Sequence, residues 1–307
     1  MAALLAEQAA AQLDPVPLAP ETLDAARVEF LRRSRRWNAL MPDGVTVRDT
    51  ALAIGDRRIG LKILQPGNPL PGSLVYVHGG GFVFGSPASH ARITALLAAG
   101  TGLTTISVDY RLAPEHPFPH GLNDVIAVLD NLETLRHDHG FDAGPCLMAG
   151  DSAGATLVLS SLLAKPELAA SVRGAVLFYG AFGTDFDTPS YRSFAEGYGL
   201  TRQRMMDFWS VYLAGADGAA QGRAVPLQAQ DAGLSALPPL QLLGAGADVL
   251  LSDSVLMHRR LCDLGRDDQL IIEPGCTHGF VQMSSEFPRA AQALGHAAEW
   301  LSARAVG

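Results

Sequence analysis

A chain of 307 residues, 48% of them apolar, is long enough to bury a large core as one α/β domain. Its 23 basic and 31 acidic residues leave a formal net charge of −8, which argues against nucleic acid as a partner. No apolar run approaches the roughly 20 residues that cross a bilayer. The three cysteines, Cys146, Cys262 and Cys276, are odd in number and lack CxxC spacing, which fits reduced thiols and a cytoplasmic location.

Met1–Asp14 is rich in Ala and Leu but carries Glu7 and Gln8 and has no basic leader, so it does not read as a secretory signal. Pro15, Pro17 and Pro20 punctuate the next few residues, and Pro20-Glu21 opens a helix predicted to run to Trp37. That helix holds five arginines in ten residues (Arg27, Arg32, Arg33, Arg35 and Arg36), the pattern of a solvated or acid-paired face. Val45–Ile54 and Arg58–Leu64 flank Gly55-Asp56 and read as a β-hairpin.

From Leu74 onward short apolar runs recur at Leu74–Val77, Thr104–Val108, Cys146–Ala149, Ala175–Tyr179 and Leu240–Leu243. Unbroken apolar runs are what strands buried on both faces look like, so a mostly parallel sheet is expected. Helices are predicted at Ala88–Ala99, Leu122–Leu135, Ala153–Ala164, Ser254–Leu264 and Ala290–Ala303, which makes the fold α/β. The aromatic, polar stretch Phe182–Gly222 interrupts the alternation and contains no predicted strand. An insertion there would lie over the C-terminal edge of the sheet, where such folds bind ligands.

The strongest local signal is Gly150-Asp151-Ser152-Ala153-Gly154, set between an apolar strand and a helix. Small neighbours let the turn hold the Ser152 hydroxyl at a helix N-terminus, where backbone N–H groups favour negative charge. A serine needs a base, and His278 comes after the strand-like Leu270–Glu273, beside Gly279. The base needs an acid, and Asp248 comes after the Gly244–Ala247 turn, giving the order Ser, Asp, His. Asp253 is the rival acid, five residues on, where a helix-capping role is expected instead. His78-Gly79-Gly80-Gly81-Phe82 lies just past another strand. The N–H groups of Gly79, Gly80 and Gly81, with that of Ala153, are candidates for an oxyanion hole.

With these motifs the chain resembles the hormone-sensitive-lipase-like family of α/β-hydrolases, which includes bacterial esterases and acetyl hydrolases. The resemblance runs from about Val45 to the C-terminus and takes in Asp109–Glu115, Pro117-Phe118-Pro119, Thr188–Tyr191 and Leu237-Pro238-Pro239. It implies an α/β-hydrolase fold, one domain over 1–307 with a helical cap from about 1–44 and 181–222. It also implies oxyanion donors at Gly80, Gly81 and Ala153. The family's Asp-Pro-Leu-x-Asp-Glu-Gly run is here Asp248-Val249-Leu250-Leu251-Ser252-Asp253-Ser254, and Val225 replaces the usual Ser of a Ser-Pro-Leu run.

The expected activity is hydrolysis of short- to medium-chain acyl esters, with N-acetyl or amide hydrolysis as the alternative. A non-catalytic binder is disfavoured because His278 is present. Phe82, Asp151, Phe182, Met205, Phe208 and Trp209 are expected around the substrate, with Met206 in the roof. The chemistry asks for no metal and no organic cofactor. The sequence leaves homodimerisation open.

Overall fold

The computed structural model describes residue 18 and residues 20–306; the Met1–Asp14 segment, Pro15 and Pro17 lie outside the described residues. Eight strands form one sheet: β1 (Val45–Ile54), β2 (Arg57–Pro66), β3 (Leu70–Val77), β4 (Leu103–Asp109), β5 (Cys146–Asp151), β6 (Val172–Phe178), β7 (Leu240–Ala245) and β8 (Gln269–Glu273). Their spatial order is β1-β2-β4-β3-β5-β6-β7-β8. The β1–β2 hairpin and its junction with β4 are antiparallel, and every other pairing is parallel.

Successive side chains of a strand point to opposite faces, and here both faces are covered. Val75, Val77, Met148, Leu177 and Leu242 enter one apolar cluster, with helices His120–Asp130 and Ala153–Ala164. Their chain neighbours Leu74, Tyr76, Leu147, Ala149, Val176, Phe178 and Leu243 enter the other, with helices Ala91–Thr101 and Pro288–Val306. That two-sided burial is why the strands read as continuous apolar runs.

The predicted helix Leu122–Leu135 is two helices, His120–Asp130 and Leu132–His139. Asn131 breaks it: its side-chain amide donates to the Ala127 carbonyl, competing with the helical backbone bond. The N-terminal helix spans Pro20–Asn38 and buries Leu23 and Ala26 in the first cluster. Of its arginines, Arg27 pairs with Glu115, Arg32 and Arg33 with Glu29, and Arg36 with Glu286. The insertion after β6 folds into helices Pro189–Ser193, Arg202–Tyr212 and Gly218–Ala224. Among the described residues no helix is long and apolar enough to cross a membrane.

Candidate active site

Strand β5 ends at Asp151, and Ser152 turns the chain directly into helix Ala153–Ala164 with φ 53° and ψ −123°. Such a backbone is costly for any residue but glycine and persists only where its surroundings hold it. Here the Ser152 N–H donates to the Phe178 carbonyl at 2.9 Å. The turn also presses Gly154 against β3, where a Cβ would stand 2.0 Å from the Val77 carbonyl oxygen. The G-x-S-x-G spacing is thus a steric requirement of the turn.

His278 Nε2 lies 2.9 Å from Ser152 Oγ, and His278 Nδ1 lies 2.8 Å from Asp248 Oδ2. The three side chains come from loops after β5, β7 and β8, brought to one edge because those strands run parallel in one sheet. Gly246 N–H donates to the Glu273 carbonyl and Ala247 N–H to the Cys276 carbonyl, so the acid loop and the histidine loop are tied together. The other oxygen of Asp248 accepts the Leu250 N–H at 3.1 Å. The altered run after Asp248 is held from the insertion. Ser190 Oγ donates to the Val249 carbonyl at 2.5 Å and accepts the Ser252 N–H at 3.0 Å.

Sequence reasoning misses the roles of Tyr179 and Ser190. Tyr179 has φ 37°, and its ring meets the His278 imidazole edge-on at 4.8 Å, fixing one side of that ring. The Thr188–Tyr191 resemblance is the signal that could find Ser190; nothing local marks Tyr179.

In the glycine loop, Gly80 and Gly81 have φ 124° and 62°. A Cβ on Gly80 would stand 2.2 Å from the Phe84 carbonyl oxygen, and one on Gly81 2.5 Å from the Phe208 ring. Among the described residues no hydrogen bond takes the N–H of Gly80 or Gly81, and the Ala153 N–H is a first-turn donor without a helical acceptor. Gly79 differs. Its N–H donates to Asp151 Oδ1 at 2.8 Å, so the expectation that Gly79 contributes to the oxyanion hole is corrected. Asp151, expected beside substrate, is corrected as well, because its carboxylate is taken up by interior partners: Oδ1 also accepts the Tyr76 hydroxyl at 2.7 Å, and Oδ2 lies 3.4 Å from Nε2 of His90.

Helix Arg202–Tyr212 buries Met205, Phe208, Trp209 and Tyr212, an i, i+3, i+4, i+7 stripe facing the glycine loop. Phe82 stacks on Tyr212 at 3.8 Å and lies 5.2 Å from Trp209, which joins the insertion to the loop. Phe182 is buried with its ring folded over Gly180. Met206 lies on the outer face of its helix and is 40% exposed, so it does not share the stripe.

The expected capping role of Asp253 is also corrected. It is the third residue of helix Leu251–Asp263, and its Oδ2 accepts the N–H groups of Phe182 and Gly183, each at 2.8 Å. Burial pushes its carboxyl up to about 8. Burial likewise pushes the Cys146 thiol up to about 12 and the Cys276 thiol up to about 11, unlike an activated nucleophile. Among the described residues no group of three or more His, Cys, Asp or Glu side chains is placed to hold a metal ion.

The family model for the alpha/beta hydrolase fold matches residues 74–282. An acetyl esterase of Salmonella agona (strain SL483) is 31% identical over 299 residues, covering 95% of this chain and 90% of its own. An acetyl esterase of Salmonella typhi is 31% identical over 296 residues, with coverage of 95% and 90%. The solved structure of a fungal esterase from Rhizomucor miehei superposes with TM-score 0.88 at 28% identity, covering 99% of this chain and 96% of that one. A thermostable esterase from Pseudomonas putida ECU1011 gives TM-score 0.88 at 26% identity, covering 99% and 97%. The chain belongs to the alpha/beta hydrolase fold family.

Proposed function

We infer that the chain is a serine carboxylesterase that cleaves acyl esters through an acyl-enzyme on Ser152. The observation that carries this reading is the unbroken line Asp248–His278–Ser152, with contacts of 2.8 and 2.9 Å. His278 takes the Ser152 proton as the oxygen attacks the ester carbonyl, and Asp248 holds the imidazole tautomer and stabilises the imidazolium. The oxyanion rests on the N–H groups of Gly80, Gly81 and Ala153, each such donor being worth roughly 3 kcal/mol of transition-state stabilisation. His278 then protonates the leaving alcohol, and a water activated by the same ring releases the acid.

The helix Pro20–Asn38 and the insertion act as the cap, within about 1–44 and 181–222, over a pocket for acyl chains of about two to eight carbons. The buried stripe of Met205, Phe208 and Trp209 supports that size limit, and the names of the acetyl esterases that the chain resembles support its short end. A cytoplasmic location is supported by three unpaired cysteines.

The test is hydrolysis of p-nitrophenyl esters of graded acyl length, with acetanilides alongside, by wild-type protein and Ser152→Ala. We expect ester turnover that Ser152→Ala lowers by several orders of magnitude, and fluorophosphonate labelling of wild type at Ser152. Substantial turnover left in a folded Ser152→Ala protein would refute the reading.

A further inference from the structure

Behind the glycine loop lies a buried polar chain that ester cleavage itself does not use. Asp151 accepts the Gly79 N–H and the Tyr76 hydroxyl on Oδ1, and its Oδ2 lies 3.4 Å from Nε2 of His90. The His90 ring is 0% exposed. The same His90 nitrogen lies 2.9 Å from Nε2 of Gln282, and His90 Nδ1 lies 2.8 Å from Ser89 Oγ. A carboxylate only accepts, so the contact with Asp151 puts the proton on His90 Nε2, and the Gln282 amide, turned over, offers its carbonyl to the same N–H.

Three loops meet at this ring. Asp151 directly precedes Ser152 at the end of β5, and Gly79 opens the glycine loop. Gln282 sits in the short 3-10 turn Phe280–Met283, just after His278. His90 itself immediately precedes helix Ala91–Thr101, and Thr94 bonds back to its carbonyl, so the ring stands on a regular element. β3 and β5 are paired as far as Val77 and Gly150, but beyond those strand ends no backbone bond among the described residues joins the glycine loop, the Ser152 turn and the His278 loop. Ångström errors between nucleophile, base and oxyanion donors are expensive in rate. A carboxylate this deeply buried also demands that its hydrogen-bond partners stay in place.

We propose that His90 is a positioning residue: with Asp151 and Gln282 it forms a buried strut that holds the glycine loop, the Ser152 turn and the His278 loop in one register. The strut acts on the transition state, because it places the N–H groups of Gly80 and Gly81 where the oxyanion develops. This rests on the ester-cleaving reading above. His78 stacks on the far face of the strut, 5.5 Å from His90 and 4.4 Å from Tyr110.

The full chain is compared with His90→Phe, His90→Gln, Gln282→Met and Ser152→Ala, using one p-nitrophenyl ester. Inhibition by a trifluoromethyl ketone is measured alongside, because its hemiketal oxygen on Ser152 mimics the oxyanion. We expect kcat to fall about a hundredfold in His90→Phe and about tenfold in Gln282→Met, with KM little changed, and the ketone Ki to rise in parallel. His90→Gln keeps an N–H directed at Asp151 and recovers most of kcat. A purely structural role would lower the melting temperature without moving kcat or Ki in protein that is still folded. Gln282 is only half-buried, so Gln282→Met decides the matter if His90→Phe does not fold. Wild-type kcat and Ki in the folded variants, with Ser152→Ala inactive, overturn the strut alone. Retained turnover in Ser152→Ala overturns the underlying reading and the strut with it.

Discussion

The carboxylate of Asp253 accepts the N–H of Phe182 at 2.8 Å across 71 positions of sequence. With Gly183 bound to the same oxygen, Asp253 fixes the corner where the chain leaves β6 for the insertion. Asp248, five residues earlier, turns instead to His278. The two acids therefore have separable consequences.

Asp248→Asn should lower kcat by roughly 10⁴-fold, because an amide favours the wrong imidazole tautomer. Asp253→Asn keeps an oxygen for both N–H groups and should leave kcat within a few-fold of wild type. Steady-state kinetics on one ester checks both. A larger loss from Asp253→Asn than from Asp248→Asn would move the acid of the triad.

Asp253 also gives stability a pH dependence. Burial raises its carboxyl from the ordinary 3.8 to about 8, so between about pH 4 and pH 8 the folded chain holds a proton there that the unfolded chain has lost. The contribution of this group to stability is therefore greatest at acid pH and falls as pH rises through that window. Asn mimics the protonated form without the later cost. Asp253→Asn should melt close to wild type at pH 5 and above it at pH 9, a difference that thermal unfolding by circular dichroism can read. An advantage confined to pH 5 would contradict the assignment.

Thiol chemistry should be irrelevant to turnover. Cys146 and Cys276 are buried with thiols pushed well up, whereas Cys262 is exposed. Iodoacetamide on folded protein should modify Cys262 alone and leave ester hydrolysis intact, as followed by mass spectrometry and assay. Cys276→Ala should cost a few-fold at most, through repacking next to His278. Complete inactivation by Cys276→Ala, with Ser152 unlabelled by fluorophosphonate, would point to a thiol mechanism.

The N-terminal helix is lashed to the tail of the glycine loop. Arg27 donates to the carbonyls of Val83 and Ala113, each at 2.9 Å, and forms a two-pronged pair with Glu115 at 2.8 Å. Phe30 stacks on Phe84 beside it at 5.8 Å. Arg27→Met should cost about 1–3 kcal/mol of stability, the range for charge-assisted bonds that are partly buried. Removing residues 1 to about 40 should lower activity and flatten the preference for short acyl chains, because water enters the site. An unchanged acyl-length profile in a folded truncation would show that this helix is not part of the roof.

The elements legible in sequence are those whose physical cause is local. A strained turn at Ser152 requires small residues two places either side, so the motif announces itself. Strands covered on both faces favour unbroken apolar runs over alternation, and β3, β5, β6 and β7 are legible on that ground. The order of Ser152, Asp248 and His278 along the chain is enough to nominate them together. Where the sequence misleads, the deciding interaction is distant. Gly79 and Asp151 adjoin motif residues and so look as if they face substrate, yet they bond to each other across 72 positions and face the interior. Asp253 has the sequence position of a cap for its own helix, but its acceptor oxygen is saturated by N–H groups some 70 residues upstream. His90 carries no signal at all, since a histidine before a helix is ordinary until Asp151 and Gln282 arrive at its ring. Backbone strain and two-sided burial are properties of a few consecutive residues. The direction of an N–H or a carboxylate is settled only when the parallel sheet brings loops from β3, β5 and β8 to one edge.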